Sequence, residues 1–156
     1  RLVERIRVMV PGIHIRSTFM TGYPGEGEDD FRTLLEFVRE AKLERVGCFA
    51  YSPEEGTRAA ALKGAVPART SRARLRRLME AQKRISLEKM RAMVGRTVEV
   101  LIEEHLGGNQ WMGRSEFDAP EVDGIFFLTA KGASTNTIVR AEVTDAVEYD
   151  LIGVSN

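Results

Sequence analysis

The chain has 156 residues, of which 43% are hydrophobic and 29% charged, a balance that is ordinary for a globular protein. It lacks any run of about 18 apolar residues, so we expect no membrane span. Its single cysteine, Cys48, excludes an internal disulfide framework and predicts a cytoplasmic location. The sequence opens without methionine in the middle of a pattern, which predicts a piece of a longer protein.

The net charge of zero hides a strong segregation of charge along the chain. Residues 67–96 carry ten Lys and Arg against two acidic residues, whereas residues 97–156 carry three basic residues against eleven acidic ones. The last segment therefore has a net charge near −8. Such an asymmetry is informative about partners rather than about fold.

The first part of the chain has the pattern of a parallel α/β unit. The predicted elements are a helix within 1–10, a strand at 14–21, a turn at 22–25, a helix at 29–42 and a strand at 46–51. Both strands are largely apolar on both faces, which is typical of parallel strands buried under helices. Strand, turn, helix and strand at this spacing predict a βαβ unit.

The second part begins with a loop at 52–67 and a long basic helix from about 70 to 94. After Thr97 the apolar period changes from about 3.6 to 2, as it does where strands replace a helix. Short strands are predicted at 97–103, 110–117, 124–130, 138–144 and 149–154. Five short antiparallel strands predict a small OB-like barrel, with domains at 1–94 and 95–156.

Several segments resemble the C-terminal half of the radical-SAM methylthiotransferases: RSTFMTGYPGEGEDDF, VGCFAYSPEEGT, VGRTVEVLIEE and GRSEFDAPEVDG. The resemblance covers nearly the whole chain. It implies an α/β plus all-β fold, in which the last βα units of a partial parallel, TIM-like barrel precede a five-stranded TRAM barrel. DAPEVDG, followed by VTDAVEYDLIG, resembles the branch that adds a methylthio group to an aspartate side chain of a small-subunit ribosomal protein.

The resemblance also implies cofactors: S-adenosylmethionine and two iron–sulfur clusters in the complete enzyme. Cluster ligation needs several thiolates at defined spacing, and Cys48 alone cannot supply them. His14 and His105 have no partner at metal-ligand spacing. We therefore assign no catalytic and no metal-binding residue, and we expect the chain by itself to be inactive.

Four residues are candidates for contact with S-adenosylmethionine, because loops after parallel barrel strands gather at one mouth. Gly22 could let the backbone approach the adenosyl group, or it could serve a plain turn. Arg16 could pair with the methionine carboxylate or form a structural salt bridge. Glu26 could bind an amine or ribose, or favour the helix N-terminus. Tyr51 could line the pocket or pack within its loop.

Three acidic residues are candidates for contact with the substrate protein: Asp118, Glu121 and Asp123. Phosphate recognition requires Lys and Arg on the contact face, so an acidic TRAM domain is expected to repel nucleic acid and to attract a basic ribosomal protein. The alternative is a solvated acidic surface without a partner.

Other functions stay open at this point. A tRNA methylthiotransferase shares the motifs, and a non-catalytic interaction module could use the OB-like domain as an adaptor. An RNA-binding module would show RNA affinity that falls strongly with salt.

Overall fold

The computed structural model describes residues 1–155. The chain separates into two compact units, Arg1–Ile85 and a second unit that begins at Ser86. The long helix α3 runs through this division. Each unit is described by itself below.

The first unit is a helix-covered pair of parallel strands. Its elements are α1 (Leu2–Met9), β1 (Arg16–Thr21), α2 (Glu28–Ala41), β2 (Arg45–Ala50) and most of α3 (Ala68–Arg91). β1 and β2 pair in parallel, from Arg16 opposite Arg45 to Thr21 opposite Ala50. This is the predicted βαβ unit. It places the carboxyl ends of both strands at one edge.

The sequence explains why α2 begins where it does. Three acidic residues occupy its first turn, where the helix dipole favours negative charge. The Asp30 carboxylate accepts a hydrogen bond from the Gly27 N–H at 2.8 Å, which satisfies a donor at the helix start. The apolar face of α2 packs against α3 in a core formed by Phe31, Leu35, Val38, Leu78 and Ile85.

The second unit is a closed five-stranded barrel. Its strands are β3 (Thr97–Gly107), β4 (Gln110–Ser115), β5 (Phe126–Ala130), β6 (Ile138–Ala146) and β7 (Leu151–Ser155). They form a ring in the order β3-β4-β5-β7-β6, antiparallel except for the parallel pair β5–β7. Buried and more exposed residues alternate along β4, β5 and the first six residues of β3, as barrel closure requires. The predicted OB-like barrel is confirmed.

Several details differ from the sequence-based expectation, among them the pairing of β5 with β7, which is parallel although five antiparallel strands were predicted. β3 continues to Gly107, past the predicted end at 103, because two register irregularities let it bend and stay paired with β4. α3 ends at Arg91 rather than near 94. The loop at 52–67 contains a short 3₁₀ turn at Ala59–Ala61. Within residues 1–155, none of the helices has the length and apolar character needed to cross a membrane.

Candidate functional site

The turn that follows β1 is fastened to the start of α3. The Thr21 hydroxyl donates to the Ser71 carbonyl at 3.1 Å, and the Ser71 hydroxyl donates to the Thr21 carbonyl at 2.8 Å. Gly22 comes next, with a φ of 81°, and a Cβ at this position would overlap the Ser71 side chain. Glycine is therefore required here by the close approach of α3 and by the backbone conformation together.

Glu26 holds the same turn closed. One carboxylate oxygen accepts the Gly22 N–H at 2.8 Å, and the other pairs with the Arg74 guanidinium at 2.7 Å. Arg74 also donates to the Glu26 carbonyl at 3.1 Å. The side chains of Arg74 and Glu26 are only 7% and 11% exposed. The Glu26 carboxylate is thus already engaged by this chain's own donors.

Around this buried pair lies a more exposed layer of charge. Glu28 binds Arg77 at 3.0 Å and Arg74 at 3.3 Å, and both guanidinium groups lie over the Phe31 ring. The hydrogen bond from Arg77, above all, holds the pKa of Glu28 below its ordinary value, although desolvation partly opposes it. Four charged residues and one aromatic ring therefore tie the start of α2 to α3.

Sequence reasoning missed Ser71 and Arg74 as parts of this site. They lie 50 and 48 residues from the groups they bind, so no local spacing relates them. The one available signal was a set of arginines in α3 without acidic neighbours at helical spacing.

A cavity of about 420 Å³ opens beside the carboxyl ends of β1 and β2. Its wall is mostly apolar and comes from the turn after β1, the loop after β2 and the first turn of α3. Tyr51 lines the cavity and packs edge-on against Tyr23, with ring centroids 5.6 Å apart. The Tyr51 hydroxyl is buried and has no hydrogen-bond partner within the described residues. Such a volume is in the range of small-molecule pockets.

The four predicted cofactor residues do not form one cluster. Gly22 and Glu26 share the turn after β1, and Tyr51 lines the cavity. Arg16 is the first residue of β1 and lies at the opposite edge of the sheet. Thr21 lies five positions further along the strand, a distance of roughly 17 Å. Arg16 is therefore not brought together with the other three.

Cys48 lies within β2 and is partly buried. Burial raises the pKa of its thiol. Within residues 1–155, no group of three or more His, Cys, Asp or Glu side chains could hold a metal ion.

In the barrel unit, two of the three predicted substrate-contacting acids support their own loop. Asp118 is 8% exposed, and its carboxylate accepts hydrogen bonds from the Ser115 hydroxyl at 2.5 Å and the Ser115 N–H at 3.2 Å. Asp123 accepts the Ala119 N–H at 2.8 Å. Glu121 differs, because it is exposed at a φ of 59°. Of the three, Glu121 is the most exposed, since Asp123 is half-buried and Asp118 is buried.

Most of the exposed negative charge of the barrel lies on its strands rather than in that loop. The exposed strand carboxylates belong to Glu99, Glu103, Glu104, Glu142 and Asp145, and Glu116 follows the end of β4. Glu103 pairs with Arg114 at 2.8 Å, in a contact that stays open to solvent on both sides. The outer surface of β3 and β6 therefore carries most of the acidic character that the composition predicts.

Comparison with known proteins matches both parts of the chain. The TRAM domain family matches residues 94–155. The curated relatives include proteins named "Ribosomal protein uS12 methylthiotransferase RimO". The one from Geobacter sulfurreducens is 43% identical over 154 residues, and the one from Desulforudis audaxviator is 48% identical over 152 residues. The RimO protein of Anaeromyxobacter sp. is 46% identical over 154 residues.

Each of these three alignments covers 97% of this chain but only 33–34% of the relative. The chain thus spans about a third of the length of the curated relatives it matches. The matched length includes both structural units, so the similarity does not rest on the TRAM domain alone. The predicted resemblance to the methylthiotransferases is confirmed: residues 94–155 match the TRAM domain family, and the chain is similar over nearly its whole length to the RimO methylthiotransferases.

Proposed function

We propose that this chain is part of a radical-SAM methylthiotransferase that adds a methylthio group to an aspartate side chain of ribosomal protein uS12. Its TRAM domain would recruit that basic protein. The observation that carries the proposal is the charge of the barrel: a domain whose strands present exposed carboxylates is suited to a cationic protein and poorly suited to a phosphate backbone.

The first unit is proposed to form the last βα units of a partial TIM-like barrel in the longer protein. The parallel pairing of β1 with β2 and the helices that cover one face of the pair support this reading. On the other face, Met20 and Phe49 are exposed, as they would be if that face lined a barrel interior.

The cavity beside Tyr51 is the proposed place for part of S-adenosylmethionine. Its apolar wall suits an adenine ring, and the unpartnered Tyr51 hydroxyl offers one polar contact. When bound, this cofactor would supply the radical that the reaction requires. Gly22 and Glu26 would act by holding the turn that borders the cavity, and Arg16 would act only at the far edge of the sheet.

The residues present do not fit an iron–sulfur cluster. The chain has one cysteine, and burial raises the pKa of that thiol, which disfavours the thiolate that binds iron. Any cluster of the whole enzyme would be held by residues outside this chain. The role of these 156 residues is therefore cofactor binding in part and substrate recruitment, not radical generation.

The loop of Asp118, Glu121 and Asp123 is proposed to take part in recruitment of the substrate protein, and its three acids would have different roles. Asp118 and Asp123 would fix the loop through their backbone contacts, and Glu121 would meet a basic side chain of the substrate. Charge reversal at Asp118 disrupts the loop as well as its charge, so Glu121→Lys is the cleaner probe.

The proposal is tested by measuring binding of the 156-residue chain to uS12 and to a tRNA anticodon stem-loop at moderate salt. We expect binding to uS12 that weakens severalfold in Glu121→Lys and as salt is raised. We expect weaker or no binding to the stem-loop. Tight RNA binding with no affinity for uS12 would overturn the proposal and favour the tRNA-modifying branch.

A further inference from the structure

One outward row of side chains crosses three neighbouring barrel strands and is apolar. Met112 of β4 pairs with Phe127 of β5, and Phe127 pairs with Ile152 of β7. Their neighbours along each strand, such as Trp111 and Leu128, point into the barrel core. Phe127, at the centre of the row, is 37% exposed. We call Met112, Phe127 and Ile152 the apolar stripe.

Acidic residues stand at both ends of the apolar stripe. Glu104 of β3 pairs with Met112, and Asp145 of β6 pairs with Ile152; both acids are exposed. The row therefore consists of three apolar side chains with one acidic side chain at each end, and each of the five strands of the ring contributes one residue. At about 4.8 Å per strand, the two acids lie roughly 19 Å apart along the surface.

The stripe lies where OB-like barrels bind their ligands, since β4 and β5 are the second and third strands of the ring. In nucleic-acid-binding members of this architecture, such a face needs basic side chains for phosphate and aromatic side chains for bases. This face offers an aromatic ring, but its flanking charges are negative. Its chemistry thus excludes a polyanion and suits a polycation.

We propose that the apolar stripe is the principal docking surface for the basic protein substrate, a proposal that rests on the proposed function. The occupant is an Arg- and Lys-rich protein segment that places one apolar or arginine side chain on Phe127. It sets cationic side chains against Glu104 and Asp145. Arginine suits this position, because its guanidinium can stack on an aromatic face and also bind a carboxylate.

A second outer surface of the same barrel supplies matched controls. It is a shallow groove of about 230 Å³ that includes Glu99 and Ile138. Ile138 is 66% exposed, more than Phe127, and Glu99 is an exposed strand carboxylate like Glu104. If exposure or net charge alone decided binding, substitutions in this groove would be at least as damaging as those in the stripe.

The experiment measures the affinity of the 156-residue chain for purified uS12 by calorimetry. We expect Phe127→Thr, which places a residue of high strand propensity at this position, to weaken binding about tenfold or more, the effect of a central aromatic anchor. Glu104→Lys and Asp145→Lys are each expected to weaken it severalfold. Ile138→Thr and Glu99→Lys are expected to change the affinity by less than about twofold. Fluorescence of Trp111, inside the barrel, checks that every variant is folded.

If the parent chain binds uS12 but substitutions in the apolar stripe weaken binding no more than those in the groove, the apolar stripe is not the docking surface. The proposed function survives in that case. If the groove variants alone lose affinity, the docking surface belongs to the groove. If the folded parent chain does not bind uS12, or binds the RNA stem-loop through Phe127, both the docking surface and the recruitment role are overturned.

Discussion

The two units each contain an arginine–glutamate pair of nearly the same length, and the two pairs have opposite surroundings. In the first unit, Glu26 and Arg74 lie 2.7 Å apart and are 11% and 7% exposed. In the barrel, Glu103 and Arg114 lie 2.8 Å apart and are 43% and 31% exposed. A buried pair fixes structure because neither charge can be left alone, whereas an exposed pair leaves its charges available to a partner.

The same contrast holds beyond these two pairs. Around Glu26, hydrogen bonds from Gly22 and Arg74 leave the turn bound to its own chain. On the barrel strands, carboxylates such as Glu104 and Asp145 are exposed. The turn after β1 thus uses its charges for contacts within the chain, whereas the barrel strands expose carboxylates to solvent.

The sharpest way to break this comparison is to remove each glutamate. We expect Glu26→Ala to destabilise the first unit by about 3–5 kcal/mol, because Arg74 would stay buried without its main partner. Glu103→Ala should cost less than about 1 kcal/mol. Urea unfolding followed by far-ultraviolet circular dichroism reports mainly the helices, and Trp111 fluorescence reports the barrel. Equal losses in the two variants would contradict the distinction.

A second test concerns the close approach at Gly22. Gly22→Ala must adopt a left-handed φ of 81° and also displace Ser71. Gly56 is a matched control, since its φ is 79° and a Cβ there would meet nothing within 4 Å. Both alanines should carry a backbone cost of about 1–3 kcal/mol, and Gly22→Ala should cost about 1–3 kcal/mol more through overpacking. Equal unfolding midpoints for Gly22→Ala and Gly56→Ala would show that the Ser71 side chain moves away without strain.

The smallest expected effect is the pH dependence of Glu28. Its folded-state pKa lies below the ordinary value, so the stabilisation is present above the unfolded-state pKa and is lost as pH falls through the folded-state pKa. Glu28→Gln should therefore be less stable than the parent at neutral pH, and the two should converge in acid. Glu55→Gln, at an exposed loop residue, controls for the change in net charge. If the difference in unfolding free energy between the parent and Glu28→Gln stayed constant from neutral pH to acid, this contribution of Glu28 to stability would be ruled out.

Much of the fold could be predicted because it depends on patterns that are local in sequence. The apolar runs of β1 and β2, with a helix between them, specify the parallel unit. The change of period after Thr97 specifies the barrel. The bends that extend β3 to Gly107 depend on its pairing with β4, and a single strand's sequence does not reveal them.

The site was less accessible to sequence reasoning, because its contacts join distant residues. The pairing of Glu26 with Arg74 and of Thr21 with Ser71 depends on how α3 packs. Local sequence spacing does not predict that packing. Asp118 is different: Ser115 lies three residues before it, a spacing at which an aspartate often binds a nearby backbone N–H. That local signal could have identified Asp118 as a structural residue.

The closed ring of the second unit has a consequence for how the protein opens. Each of the five strands has two neighbours, and β7 joins β5 to β6. No strand can therefore peel away without breaking two ladders, and backbone amides across the ring should become exposed to solvent exchange together. Among residues 1–155, β1 and β2 pair with each other alone, so each keeps one side from which opening can begin. We therefore expect slow, collective fluctuations in the barrel and faster, local ones in the first unit.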